Sequence, residues 1–83
     1  MQVSFVDMPE EMVERAIRYA EDAVTKFNVE IDMAGYVKRL FDKKYEASWH
    51  VVVGRQYSSF VTAEENNMIY FQVGQFNFLI FKA

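Results

Sequence analysis

The chain has no cysteine, one proline, one histidine and three glycines in 83 residues. Without cysteine there can be no disulfide, no thiolate zinc site and no cysteine nucleophile. With His50 as the sole histidine, a metal site would have to be built almost wholly from carboxylates, so no metal and no cofactor is expected. An excess of basic charge is missing too: the net charge is -3, whereas a nucleic-acid binder presents a basic face. Lys38, Arg39, Lys43 and Lys44 cluster, but Asp42 interrupts them, and they read as a solvated helix face. No stretch approaches the ~20 apolar residues that a membrane span needs. The opening MQVSFVDMPEE has neither a basic n-region nor a long apolar run, so no signal peptide is expected. A cysteine-free chain of this kind suits the reducing cytoplasm.

What is present is a length that fits one domain, residues 1–83, and an unusual aromatic load. A domain this short buries only about 60% of the surface its unfolded chain exposes, and chains of this size often add disulfides, metals or self-association. With the first two excluded, self-association is the remaining support. Aromatics make up 17% of the residues, and eleven of the fourteen lie at or after Tyr36. A core this small does not hold that many rings, so some are expected at an interface, where Tyr and Trp are favoured.

Periodicity divides the chain in two. Met1 to Val6 alternates weakly, as a short strand would. Asp7 followed by Pro9 and Glu10 reads as a capping box opening a helix. Val13, Ala16, Ile17, Ala20, Val24 and Phe27 then recur at spacings of three and four, one apolar stripe of an amphipathic helix that Asn28 can end in a left-handed conformation. A second helix begins near Glu30 to Asp32. Its stripe is Ala34, Val37, Phe41 and Tyr45, widened by Met33, Tyr36 and Leu40, and it fades near Tyr45 to Ala47. Gly35 inside it costs about 1 kcal/mol relative to Ala, which a close backbone or ligand approach would explain and so would chance. From Trp49 the period becomes two. Trp49, Val51 and Val53 face one way and His50 and Val52 the other, up to Gly54. Tyr57 to Thr62 reads as a further strand. After a polar break at Ala63 to Asn67, Ile69, Phe71 and Val73 alternate with Met68, Tyr70 and Gln72. Gly74-Gln75 then makes a two-residue loop to Phe76–Phe81, with Gly first as a type II′ hairpin prefers. The fold class is α+β, two N-terminal amphipathic helices packed on an antiparallel sheet.

Three segments carry a resemblance: FDKKYEASWHVVVGRQYSSFVT from Phe41 to Thr62, MIYFQVGQFNFLIFK from Met68 to Lys82, and DMPEEM from Asp7 to Met12. Together they resemble the hub-type dynein light chains, the smallest of the dynein light chains and distinct from the Tctex and roadblock types. The resemblance implies a strand-swapped homodimer in which the strand matching Tyr57 to Thr62 crosses to the other subunit's sheet. It implies two parallel grooves, each between that crossing strand and the second helix. Each would take one extended segment of a partner, such as a dynein intermediate chain or another protein with a Thr-Gln-Thr-like motif, as an added strand. The implied setting is the cytoplasm and its microtubule motor complexes. The implied function is that of a non-catalytic dimerising hub; the alternative is a dedicated structural subunit of one dynein, axonemal for instance, with altered peptide specificity.

Carried onto this sequence, the peptide-binding residues would be Glu30, Ile31, Arg55, Gln56, Tyr57, Ser58, Ser59, Phe60, Val61, Thr62, Ala63, Met68, Tyr70 and Gln72. The dimer interface would hold His50, Tyr57, Ser59, Phe60, Val61 and Thr62. By the same resemblance His50 lies close to its symmetry mate, where protonation would bring two cations together and loosen the pair in mild acid. As a catalytic base His50 would need a nucleophile and an orienting group; Ser58 and Ser59 are the nearest hydroxyls in sequence, and no oxyanion-hole motif accompanies them, so no catalytic residue is assigned. Glu30 either complements the helix dipole or helps hold the partner's Gln. Met68 and Tyr70 read as core from alternation alone, with Gln72 marking a partly wet face. Ile31, Ala63, Met68 and Gln72 replace the Lys, His, Phe and Tyr common in the family, Phe60 replaces a Tyr, and Ala83 replaces a Ser discussed there as a phosphorylation switch.

Overall fold

The computed structural model describes residues 2–55 and 67–82. Strand β1 (Gln2–Asp7) leads into helices α1 (Glu10–Lys26) and α2 (Glu30–Tyr45), followed by β2 (Trp49–Gly54), β3 (Met68–Val73) and β4 (Phe76–Lys82). The described strands form one antiparallel sheet in the order β1-β3-β4-β2. The expected strand Tyr57 to Thr62 lies outside the described residues.

Both helices cover the same face of the sheet. α1 contributes Ala16, Ala20 and Ala23, and α2 contributes Met33, Val37 and Phe41, all fully buried. The sheet answers with Trp49, Ile69, Phe71, Phe78 and Ile80, and the Phe71 and Phe78 rings stack 5.6 Å apart. The larger stripe residues of α1, Val13, Ile17 and Val24, are only partly buried and pack around this core. Alanine's small side chain lets a helix approach closely. The deepest line of α1 is therefore its alanine row, in which Ala16 and Ala20 belong to the stripe read from the sequence and Ala23 does not. Phe41 is the hub of an aromatic cluster, with Trp49 at 4.8 Å, Tyr45 at 5.3 Å and Tyr19 at 5.8 Å between ring centroids.

The helix ends differ from the expected ones. Pro9 is the N-cap of α1 and its carbonyl accepts from the N–H groups of Met12 and Val13, while Asp7 remains in β1, so no capping box forms. Pairing with Met68 extends β1 one residue past its expected end and holds Asp7 in the strand. At the other end Phe27, not Asn28, is the C-cap, and its backbone is extended. Its N–H still bonds the Ala23 carbonyl at 2.9 Å, so no left-handed residue is needed there. The β3–β4 loop does match expectation. Gly74 has φ 60 and Gln75 is not among the positive-φ residues, the pattern of type II′ rather than type I′.

A charged node ties α2 to the start of β2. Lys38 Nζ donates to Asp42 Oδ2 at 2.7 Å and to the Trp49 carbonyl at 2.9 Å, and the Trp49 N–H donates to Asp42 Oδ1 at 2.8 Å. The Lys38 ammonium, aided by the Trp49 N–H, holds the Asp42 carboxyl below its ordinary range. On the far side of the helical layer, the Tyr36 hydroxyl donates to Asp22 and Lys26 donates to Tyr36 at 3.2 Å, which joins α1 to α2.

Two predictions follow from these contacts. Gly35 has φ outside the left-handed range, and an added Cβ would meet only the Arg39 guanidinium, at 3.3 Å, the far end of an exposed side chain. Close backbone approach therefore does not explain this glycine. Gly35→Ala is expected to raise unfolding stability by about 0.5–1 kcal/mol in urea titrations. Asp42→Ala leaves the Trp49 N–H without its acceptor and is expected to cost about 1–2 kcal/mol near neutral pH. Because folding lowers the Asp42 pKa, its contribution is present above the unfolded value of about 3.9 and is lost as pH falls through the folded one. Parallel titrations in stronger acid should show the gap between native and variant closing.

Candidate functional site

The outer edge of β2 and the first turn of α2 meet at one corner of the molecule. β2 bonds β4 along one side, from Trp49 opposite Lys82 to Gly54 opposite Asn77, and no second strand pairs with it among the described residues. Its sequence, WHVVVG, places four apolar side chains along an edge whose backbone donors and acceptors, apart from those of Trp49 bonded to Asp42 and Lys38, have no strand to pair with among the described residues. Just past it, Arg55 Nε donates to Glu30 Oε2 at 3.1 Å, and the guanidinium lies 5.0 Å from the centre of the Phe76 ring. Both charges are substantially solvated, so this pair adds under about 1 kcal/mol to stability. Its consequence is positional: it fixes the end of β2 against the beginning of α2.

That beginning is uncapped. The N-cap of α2 is Val29, whose hydrocarbon side chain cannot accept a hydrogen bond. The Val29 carbonyl accepts from the N–H groups of Asp32 and Met33, the first bonds inside the helix. The N–H groups of Glu30 and Ile31 precede them, where a helix has no internal acceptor to offer. Ile31 is 76% exposed and Val29 50%, so two aliphatic side chains flank these donors in solvent.

The other candidate residues lie on the opposite face of the sheet. Met68, Tyr70 and Leu79 form a second buried cluster, with Phe81 packed against it. The strand register extends it into cross-strand rows. Phe5, Tyr70, Leu79 and Val52 stand in line, as do Asp7, Met68, Phe81 and His50. The row ends, Phe5 and Val52, are about half exposed while its middle is buried. The His50 ring is exposed and stacks on Phe81 with centroids 5.2 Å apart. Gln72 is half-buried at the end of this face, and its side-chain amide donates to the Gly74 carbonyl at 3.0 Å.

Of the expected peptide-binding residues, Glu30, Ile31 and Arg55 therefore converge at one corner. Met68, Tyr70 and Gln72 share a strand face that looks away from α2. Gln56, Tyr57, Ser58, Ser59, Phe60, Val61, Thr62 and Ala63 lie outside the described residues, as does Ala83. Sequence reasoning missed Val29, although a valine immediately before a predicted helix start was visible as an absent cap. It also missed the Trp49 backbone as a partner of Asp42, for which sequence carries no signal. The Trp49 indole N–H and the Tyr45 hydroxyl are buried with no hydrogen-bond partner. Burial raises the Tyr45 phenol above its ordinary range. Among the described residues no group of three or more His, Asp or Glu side chains could hold a metal, and no helix is long and apolar enough to cross a membrane.

Two helices on one face of a four-stranded antiparallel sheet, with both sheet edges free in the described chain, define a dynein light chain-like fold. The dynein light chain-like domain of the Fasciola hepatica calcium binding protein FhCaBP2 superposes with a TM-score of 0.84 at 20% identity, covering 98% of this chain and 89% of that one. The dynein light chain-like domain of CsTAL3 gives a TM-score of 0.81 at 15% identity, covering 98% and 90%. The family model described as Dynein light chain type 1 matches residues 1–83, and the chain belongs to that family.

The uncapped turn yields its own prediction. Val29→Ser supplies the missing acceptor at little cost in buried surface, because Val29 is half exposed. It is expected to stabilise the fold by about 0.5–1 kcal/mol, read from the midpoint of urea unfolding at unchanged slope.

Proposed function

We propose that the chain acts as a non-catalytic homodimeric hub that takes short extended segments of partner proteins as added strands. The observation that carries this reading is the corner where the unpaired edge of β2 meets the uncapped start of α2. The exchanged strand of a second copy would complete that edge and leave its own outer edge open; an extended segment brings the backbone groups that such an edge lacks, and a side-chain carbonyl on it can accept from the Glu30 and Ile31 N–H groups. A Gln in a Thr-Gln-Thr-like motif has such a carbonyl.

The reading takes two copies to make the whole site. Glu30 and Ile31 lie on the helical side of the sheet, whereas Met68, Tyr70 and Gln72 face away from it. By the family resemblance, a groove containing both sets would be walled by α2 of one subunit and floored by the sheet of another. The half-exposed row ends Phe5 and Val52 on the helix-free face support self-association, with His50, exposed in the single chain, in the contact. Tyr57, Ser59, Phe60, Val61 and Thr62 would complete that interface as the exchanged strand, with Gln56, Ser58 and Ala63 reaching the peptide alongside Arg55. Two grooves on one dimer hold two copies of a partner side by side, which raises avidity without new contacts. Family membership supports a place among cytoplasmic dynein complexes, with the dynein intermediate chain as a partner.

Titration calorimetry with a Thr-Gln-Thr peptide is expected to give micromolar binding at one peptide per chain. Val29→Ser is expected to weaken it several-fold while stabilising the protein, because the new hydroxyl competes for the same N–H groups. Silence towards every such peptide would leave the dedicated-subunit reading instead. The exchange of family-typical rings and charge for Ile31, Met68 and Gln72 favours that second reading, in which peptide preference is altered.

A further inference from the structure

The two outer strands of the sheet differ in their register. β2 pairs with β4 residue for residue over its whole length, from Trp49 to Gly54. β1 pairs with β3 as Gln2 with Gln72, Val3 with Phe71, Phe5 with Tyr70, Val6 with Ile69 and Asp7 with Met68, so Ser4 is one residue too many between Val3 and Phe5. Such a β-bulge bends its strand, sharpens the local twist and breaks the even spacing of N–H and C=O groups along the edge. In other respects β1 is suited to pairing. No second strand lies beside it among the described residues, and it has no proline, lysine or arginine. Val3, Phe5 and Val6 are 39%, 46% and 45% exposed. Val3 and Val6 stand beside Phe71 and Ile69 on the helical side of the sheet, and Phe5 beside Tyr70 on the other. Of the devices that blunt a sheet edge, this strand carries the bulge and, at its end, the single charge of Asp7.

We propose that the Ser4 bulge closes the β1 edge to strand addition and so leaves the β2 side as the place where the described sheet accepts a strand. Without Ser4, the residues Gln2, Val3, Phe5, Val6 and Asp7 would keep every β3 partner they have and form an unbroken edge. That edge is self-complementary. A second copy running antiparallel about a twofold at Phe5 sets Val3 against the copy's Val6 on the same face and Gln2 against its Asp7, so two carboxylates are never opposed. With Ser4 in place, the two halves of the strand are one residue out of step, and a straight partner in register with one half is out of register with the other. The proposal concerns the edge opposite the peptide corner and stands whether or not that corner binds peptide.

The test is sedimentation equilibrium of the full chain over a wide range of concentration, with the native protein beside a variant from which Ser4 is deleted. Deletion is expected to raise the weight-average mass about twofold in concentrated protein, because an edge-to-edge twofold joins existing assemblies in pairs. Val3→Lys added to the deletion is expected to return the native mass, since a lysine on an edge strand opposes pairing. A deletion variant that is folded by circular dichroism and sediments as the native protein does at every concentration overturns the proposal. So does a gain in mass that Val3→Lys leaves in place. Should the deletion unfold the chain, Val3→Lys in the native protein decides: the position is exposed and tolerates the change, and an unchanged mass is expected. A lower mass would mean that the bulged edge already pairs, which overturns the proposal.

Discussion

Beyond Trp49, whose N–H and carbonyl are taken by Asp42 and Lys38, the backbone N–H and C=O groups along the outer side of β2 have no strand to bond within the described chain, and the residues that carry them are mostly valine. Unpaired backbone groups beside apolar side chains are costly to leave open, and proteins usually blunt such edges with charge, proline or a covering element. β2 has no proline and no acidic or lysine side chain, and the basic residue nearby, Arg55, is drawn away to Glu30 and Phe76. This edge is built to be completed. The packing of the rest of the molecule makes sense as the means of presenting it.

Rigidity comes from the helical side. The alanine row of α1 lets α2 settle against the sheet, and the Lys38–Asp42–Trp49 node locks the start of β2 to α2. At the other end of β2 the Glu30–Arg55 pair does the same more weakly. A strand held at both ends by one helix has its free edge fixed in direction, and the donor groups at the helix start lie at a constant place beside it. A binder that recognises main chain first and side chains second needs this arrangement, because main-chain bonding tolerates many sequences only when the template does not move.

Much of this was legible in the sequence, and for physical reasons. Periods of 3.6 and 2 report burial on one face, so α1, α2, β2, β3 and β4 and the inward set Trp49, Ile69, Phe71 and Val73 could be read directly. Gly74 announced its turn because positive φ is cheap only for glycine. The failures are at ends and at small residues. Asp7 had the chemistry of a cap, but cross-strand pairing with Met68 claimed it. Asn28 lost its role because the chain left α1 in extended form at Phe27. Ala16 and Ala20 were read into the stripe of α1 and Ala23 was not, although all three are fully buried, since closeness of approach decides which residue is deepest. For the site, alternation placed Met68, Tyr70 and Gln72 on one face, while the meeting of Glu30 with Arg55 joins residues 25 apart and has no signal in the sequence; the resemblance placed both among the peptide contacts but did not pair them.

Amide hydrogen exchange along Trp49–Gly54, followed over a dilution series without peptide, examines the edge itself. If another copy completes it, the amides that bond neither β4 nor, as Trp49 does, Asp42 will be protected in concentrated protein and lose that protection together on dilution. Protection that is independent of concentration would mean that the chain closes its own edge, and this account of the molecule would be wrong.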